Sequence, residues 1–172
     1  MSVYFVDSEF YEDGEIIDLL SIAIVANDNK QYYAVNSDFN FTRANKNKWL
    51  KENVLKHIDL EDKTNQRSKK QIKSDILKFI GDDKSPKFVS DYCSYDYIVL
   101  CQIFGKMIDL PDNFPMYCND LQMLKKIVGA KDSELPTLPN EHHALNDACQ
   151  VREQWLFLEK RFQEKFKQKL VF

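Results

Sequence analysis

The sequence predicts an α/β fold in which helices flank a mixed sheet that opens with three antiparallel strands. Three observations carry this. The first 35 residues hold three runs rich in β-branched and aromatic residues, separated by short turn signals. Beyond them, segments with helical spacing of apolar residues alternate with one further strand-like run, the pattern of an α/β layer arrangement. With Gly 4 and Pro 5 in 172 residues, the chain has little material for a long linker, so residues 1–172 are expected to form a single domain.

Taken in order, Val3 to Asp7 reads as a strand, and the β-branched run from Ile16 to Ala26 reads as its neighbour across the turn chemistry of Glu12-Asp13-Gly14. Asp28-Asn29 reverses the chain again before a third strand at Gln31 to Val35. Trp49, Leu50, Val54, Leu55 and Ile58 then form an apolar helical stripe, followed by a polar connection from Asp59 to Asn65. Ser68 with Gln71 is a capping box, opening a helix whose Ile72, Ile76, Phe79 and Ile80 share one face until Gly81 stops it. Lys87 to Ser90 is the next strand, and Asp96 to Phe104 a helix with Val99, Leu100 and Ile103 inward. A short strand is expected at Met116 to Cys118. Asn119 or Asp120 should cap a helix running to Val128. After the Pro136 to Pro139 loop, Asn140 is placed to cap a long helix carrying Ala144, Asp147, Val151 and Trp155 on one side.

Composition bounds the function only loosely. Lys+Arg 24 against Asp+Glu 27 gives a net charge of −3, so no overall positive field argues for nucleic-acid binding. Two local basic stretches remain candidates for phosphate contact: Lys46, Lys48, Lys51 and Lys56, and Arg67, Lys69, Lys70 and Lys73. The opening MSVYFVDSEFY lacks the basic flank and apolar run of a secretory signal, and no apolar run approaches the ~20 residues of a membrane span, so a cytoplasmic location is expected. Cys93, Cys101, Cys118 and Cys149 have neither CxxC spacing nor disulfide-scaffold density, which points to reduced thiols.

Three segments carry chemistry. Asp7 and Glu9 in Asp7-Ser8-Glu9 are separated by one residue, so a strand would place both carboxylates on one face. Asp96 begins a helix at a spacing to Val99 and Ile103 that turns it inward, where an unpaired carboxylate is heavily penalised and a coordinated cation would remove the penalty. Asp91 is an alternative ligand or a capping acid. The segment His142-His143-Ala144-Leu145-Asn146-Asp147 runs from a loop into a helix, directing Asp147 to the core side while His142 lies just outside the first turn, where it can approach a water.

With FVDSEF, DYCSYDYIVL and EHHALNDA in this order, the chain resembles the DEDDh 3'-to-5' exonucleases of the ribonuclease-H-like superfamily, and its length and the LPNEHHALNDA segment resemble the group's compact bacterial exoribonucleases. The resemblance implies a ribonuclease-H-like sheet and four acidic metal ligands at Asp7, Glu9, Asp96 and Asp147. It further implies His142, rather than His143, as the catalytic histidine, acting with two divalent ions, Mg²⁺ or Mn²⁺. It also implies stepwise hydrolysis of single-stranded RNA from the 3' end to nucleoside 5'-monophosphates. A DNA-preferring exonuclease and a non-catalytic nucleic-acid-binding module are the alternatives. Phe10, Tyr11, Tyr92 and Tyr95 are candidates for base stacking or for core packing. The compact relatives imply a homodimer, for which Trp155, Leu158, Phe162 and Phe166 offer an apolar stripe, with core packing in the same chain as the competing reading.

Overall fold

A computed structural model describes residues 2–170. Its sheet opens as expected. β1 (Val3–Glu12), β2 (Ile17–Ala26) and β3 (Gln31–Asn36) are consecutive antiparallel neighbours. β4 (Gln66–Arg67), β5 (Lys87–Ser90) and β6 (Asn119–Asp120) complete a six-stranded mixed sheet in the order β4-β3-β2-β1-β5-β6, with β4, β5 and β6 each parallel to its neighbour. This is the mixed α/β sheet of a ribonuclease-H-like fold.

Alternation along the strands divides the core into two layers. Tyr4, Val6, Ile22 and Ile24 face α3 (Lys69–Ile80) and α4 (Ser94–Phe104), meeting Ile72, Ile76, Ile80, Val99, Leu100 and Ile103. Phe5, Ala23 and Val25 face the other way, onto Leu121 and Leu124 of α5 (Leu121–Val128) and Val151, Trp155 and Leu158 of α6 (Ala144–Phe166). β2 is covered on both faces, which is why it reads as a continuous apolar run. The Ser68–Gln71 capping box forms as the sequence requires, and Gly81 closes α3 at a φ of 61°.

Four expectations need correction. The stripe from Trp49 to Ile58 does not lie on one helix: Asn47 ends α1 (Phe41–Lys46) and caps α2 (Lys48–Asn53), accepting from the Leu50 amide, but α2 stops at Asn53 and a 3-10 turn at Leu55–His57 follows. Leu50, Val54 and Ile58 stay buried, whereas Trp49 is 52% exposed. Met116 to Cys118 is not a strand. The free edge of β5 pairs only Val89 and Ser90, and it does so with Asn119 and Asp120, after which Asp120 caps α5 through the Gln122 and Met123 amides.

Asn140 does not cap α6. The helix begins only after His143, and the chain turns into it through positive φ at Asn140 (64°) and His142 (66°). Finally, Trp155 and Leu158 are buried within the chain against Phe5 and α5, so the stripe proposed for a two-fold interface is core over most of its length; Phe166 alone stays well exposed, at 38%. Among the described residues, no helix is long and apolar enough to cross a membrane.

Candidate metal centre

The face of β1 that packs under α6 changes character along its length. Phe5 contacts Trp155, with ring centroids 6.4 Å apart, and the next two residues on that face are Asp7 and Glu9. A register irregularity between Glu9 and Phe10 then ends the regular alternation. The apolar core therefore gives way to carboxylates at the level where α6 begins. Asp147 projects from the first turn of α6, and His142 from the preceding loop. Ligand-capable atoms of Glu9, His142 and Asp147 all lie within 4.8 Å of one another.

His142 and Asp147 fix each other locally. The His142 amide donates to Asp147 Oδ2 at 2.8 Å, and the His143 carbonyl accepts from the Asn146 and Asp147 amides at 2.8 and 3.1 Å. His143, the N-cap residue, makes no side-chain capping bond, and the site's own carboxylate instead ties down the amide just before the helix. Beside it, the Trp49 ring meets His142 edge-on at 4.9 Å.

Asp96 reaches the site from the first turn of α4 and is buried. Its Oδ1 accepts from the Ser8 amide at 2.9 Å and from Ser8 Oγ at 2.6 Å, and its Oδ2 accepts a short bond from Ser90 Oγ. Pairing of β1 with β5 ends at Phe5 and Val89, so Ser8 lies beyond it and Asp96 takes up an amide that the sheet edge leaves free. Hydrogen bonds thus offset part of the burial cost that sequence alone assigned to a cation, and the carboxyl remains raised. Asp96 is not one of the three residues grouped within 4.8 Å, but it and Asp7 are electrostatically joined to them. Asp91 does not cap α4, since Cys93 holds that position; its Oδ1 accepts from Gln122 Nε2 at 2.7 Å.

The electrostatics are one-sided. Burial pushes the Asp7 carboxyl well above its ordinary range, and the charges of Asp96, Glu9, Asp147 and Asp91 push it further. Glu9 is raised to about 8 by burial and then by Asp147 and Asp96. Asp96 rises to about 6 through burial, opposed by its bonds from Ser8 and Ser90. Asp147 is raised by burial, opposed first by the His142 amide. Carboxylates so close together repel unless protons or a cation intervene, and hard oxygen donors suit a divalent ion such as Mg²⁺ or Mn²⁺. The residues present fit such an ion.

A pH dependence follows from these directions. Carboxyls raised in the folded state bind protons that the unfolded chain has released, so ion-free stability falls as pH climbs from the ordinary carboxylate range through about 6 for Asp96 and about 8 for Glu9. A divalent ion reverses the penalty by binding the deprotonated acids. Thermal melts should show the ion-free Tm declining between about pH 5 and 8, with a Mn²⁺-induced rise that grows over that window. A Mn²⁺ effect of equal size at both ends would count against this acid cluster as the ion's site.

Sequence reasoning missed Ser8 and Ser90 as the partners that hold Asp96, and Trp49 as a neighbour of His142. Ser8 carried a signal in lying between two acids yet facing the opposite layer. The two basic stretches also part company. Lys46, Lys48, Lys51 and Lys56 are exposed on the segment that bears Trp49, and Lys56 shares a hollow of about 460 Å³ with His57 and His142. In the second stretch Arg67 pairs with Asp75 at 3.4 Å and Lys73 bonds the Phe104 carbonyl at 3.2 Å, so both are engaged in holding the structure. Among the aromatic candidates, Phe10 and Tyr95 stack on each other at 5.4 Å, Tyr11 lies under Arg43, and Tyr92 is 71% exposed.

Comparison with known proteins agrees with this geometry. A family model described as the 3'-5' exoribonuclease Rv2179c-like domain matches residues 2–158. Two curated relatives, the 3'-5' exoribonucleases MT2234.1 and Rv2179c from two strains of Mycobacterium tuberculosis, are each 36% identical over 148 residues, covering 84% of this chain and 86% of theirs. Together with the clustered acids and histidine, these similarities support a metal-using nuclease, consistent with the DEDDh exonucleases of the ribonuclease-H-like superfamily. On both the extent of the match and the level of identity, the chain belongs to the Rv2179c-like 3'-5' exoribonuclease domain family.

Proposed function

We propose that the protein is a divalent-metal-dependent 3'-to-5' exoribonuclease that hydrolyses the terminal phosphodiester of single-stranded RNA and releases nucleoside 5'-monophosphates. The observation that carries the reading is the convergence of Glu9, His142 and Asp147 within 4.8 Å, with Asp7 and Asp96 bearing on the same point, in a chain whose relatives are named as exoribonucleases.

In this reading Asp7, Glu9, Asp96 and Asp147 hold two divalent ions, Mg²⁺ or Mn²⁺. When bound, such ions supply Lewis-acid stabilisation of the phosphate and of the departing 3' oxygen, and they acidify the attacking water. Imidazole is a less favoured donor than oxygen for Mg²⁺, which leaves His142 for proton transfer. Its position outside the first turn of α6, fixed by the bond from its amide to Asp147, lets it accept the water proton as the water oxygen attacks phosphorus and the bond to the 3' oxygen breaks. Trp49 and the hydrogen-bonded backbone limit where the imidazole can turn.

A hollow of about 340 Å³ lined by Glu9, Phe10, Glu12, Asn47, Trp49 and Leu50 lies next to the acids. The half-exposed Trp49 offers stacking surface for a terminal base, which is sequence-tolerant because every base has a π face. Exposed Lys46, Lys48 and Lys51 on the same segment give phosphates a positive approach that the net charge of −3 does not.

Preference for RNA is tested by timed digestion of matched single-stranded RNA and DNA with free 3' hydroxyls. Faster mononucleotide release from RNA is expected. Equal or faster release from DNA overturns the RNA assignment while leaving the exonuclease reading in place, and binding without cleavage in both Mg²⁺ and Mn²⁺ favours a non-catalytic module.

A further inference from the structure

His143, the second histidine of the pair, has no part in the mechanism above, yet its surroundings are more constrained than those of a spare loop residue. It is partly buried, and its ring lies against Tyr33 of β3 with centroids 4.8 Å apart and planes inclined by 27°. His57, from the 3-10 turn after α2, meets it edge-on at 6.0 Å. Its Nδ1 is buried without a hydrogen-bond partner among the described residues, so this imidazole is held as a flat plate and not through that nitrogen.

The plate stands at a junction. One residue back, His142 holds a left-handed backbone, φ 66°, that a non-glycine residue adopts only when its surroundings impose it. The His143 carbonyl accepts the first two amide bonds of α6, including that of Asp147. Tyr33 is in turn tied to the acids by the sheet itself: in register it lies opposite Ala23, and Ala23 lies opposite Asp7. A continuous row therefore runs from Asp7 across β2 to Tyr33, up through the stacked ring to His143, and back to His142 and Asp147.

We infer that His143 is a positioning residue: its ring, stacked on Tyr33, fixes the loop so that His142 and Asp147 sit at a set height over Asp7 and Glu9. Stacking sets the register between the sheet's acids and the loop's histidine, two parts of the site that no hydrogen bond connects directly across β1 and α6 among those described. Because the role needs only a flat ring, phenylalanine should perform it. The inference rests on the proposed exonuclease reading for its kinetic consequence, but the placement of His142 is observable without turnover.

The test compares His143→Ala, His143→Phe and Tyr33→Leu in the full chain. Kinetically, His143→Ala is expected to lower kcat by about tenfold with KM changed less than about twofold, since displacement of a reacting group by a fraction of an ångström is costly. His143→Phe should recover to within about threefold of the parent, and His143→Ala combined with Tyr33→Leu should be no worse than the more impaired single variant, as expected for partners in one interaction. The second readout is the imidazole Cε1–Hε1 NMR signal of His142 without nucleic acid or metal: shifted and broadened in His143→Ala and Tyr33→Leu, and restored in His143→Phe. A parent-like His142 signal in His143→Ala overturns the inference, as does a folded His143→Phe as impaired as His143→Ala. Absence of nuclease activity in the parent would instead refute the exonuclease reading, and the NMR arm would still decide the positioning role.

Discussion

Replacing Glu9 with Gln is expected to lower metal-supported turnover by more than about 100-fold while making the ion-free fold more stable. The two effects have one cause. Glu9 is buried and raised to about 8 by desolvation and by Asp147 and Asp96, so at neutral pH the folded chain holds a proton there that the unfolded chain does not need. The amide keeps the approximate shape and removes that penalty, and it also removes the negative charge that a divalent ion requires. Loss of even part of the several kcal/mol that metal ions contribute to a phosphoryl transition state corresponds to the factor given. Asp7→Asn should behave in the same way, because its carboxyl is raised by burial and by the same acids. Melting curves with and without Mn²⁺ check the first effect, where a higher ion-free Tm and a reduced ion-induced rise are expected. Single-turnover rates check the second. A folded Glu9→Gln protein with parent-like ion response and turnover would remove Glu9 from the ligand set.

His142→Ala is expected to separate binding from chemistry. A positioned general base contributes about 10²–10⁴-fold, and kcat should fall within that range. Asp147 would lose only the constraint that the His142 ring and its contact with Trp49 place on the loop, since the bond from residue 142 to Asp147 Oδ2 comes from the backbone amide. The Mn²⁺-induced rise in Tm should therefore survive. If it disappears together with turnover, His142 is a ligand of the ion and not the proton acceptor, which the three-residue grouping within 4.8 Å would also accommodate. Comparison with His143→Ala sharpens the assignment: the loss there should be milder and rescued by a ring that cannot take a proton.

The parts of the molecule that were legible in the sequence are those that local chemistry decides. β1, β2 and β3 follow from alternation and from turn residues within a few positions of each strand, and the Ser68–Gln71 box satisfies its helix without help from elsewhere. The one-residue spacing of Asp7 and Glu9 directed both to one face for the same reason. What escaped depends on where distant elements stop. Ser8 and Ser90 hold Asp96 because pairing between β1 and β5 ends early, which neither strand's sequence reveals. Asn140 has the chemistry of a cap, but the chain needs the left-handed turn at His142 to bring that amide onto Asp147, so α6 starts later. Trp49 fits an apolar stripe by spacing, yet α2 spans only Lys48–Asn53 and Trp49 stands beside His142, a neighbour far along the chain. Trp155 and Leu158 fit an interface stripe equally well, and only the arrangement of β1 and α5 shows them to be core.

The central claim, that this acid and histidine cluster removes nucleotides singly from a 3' end, is tested most directly by following a 5'-labelled single-stranded RNA with a free 3' hydroxyl in the presence of Mn²⁺ or Mg²⁺. The account predicts a ladder that shortens one nucleotide at a time, release of nucleoside 5'-monophosphates, no reaction in the presence of a chelator, and inhibition when the 3' end is blocked. Internal fragments from a 3'-blocked RNA, or cleavage that persists undiminished in chelator, would contradict it.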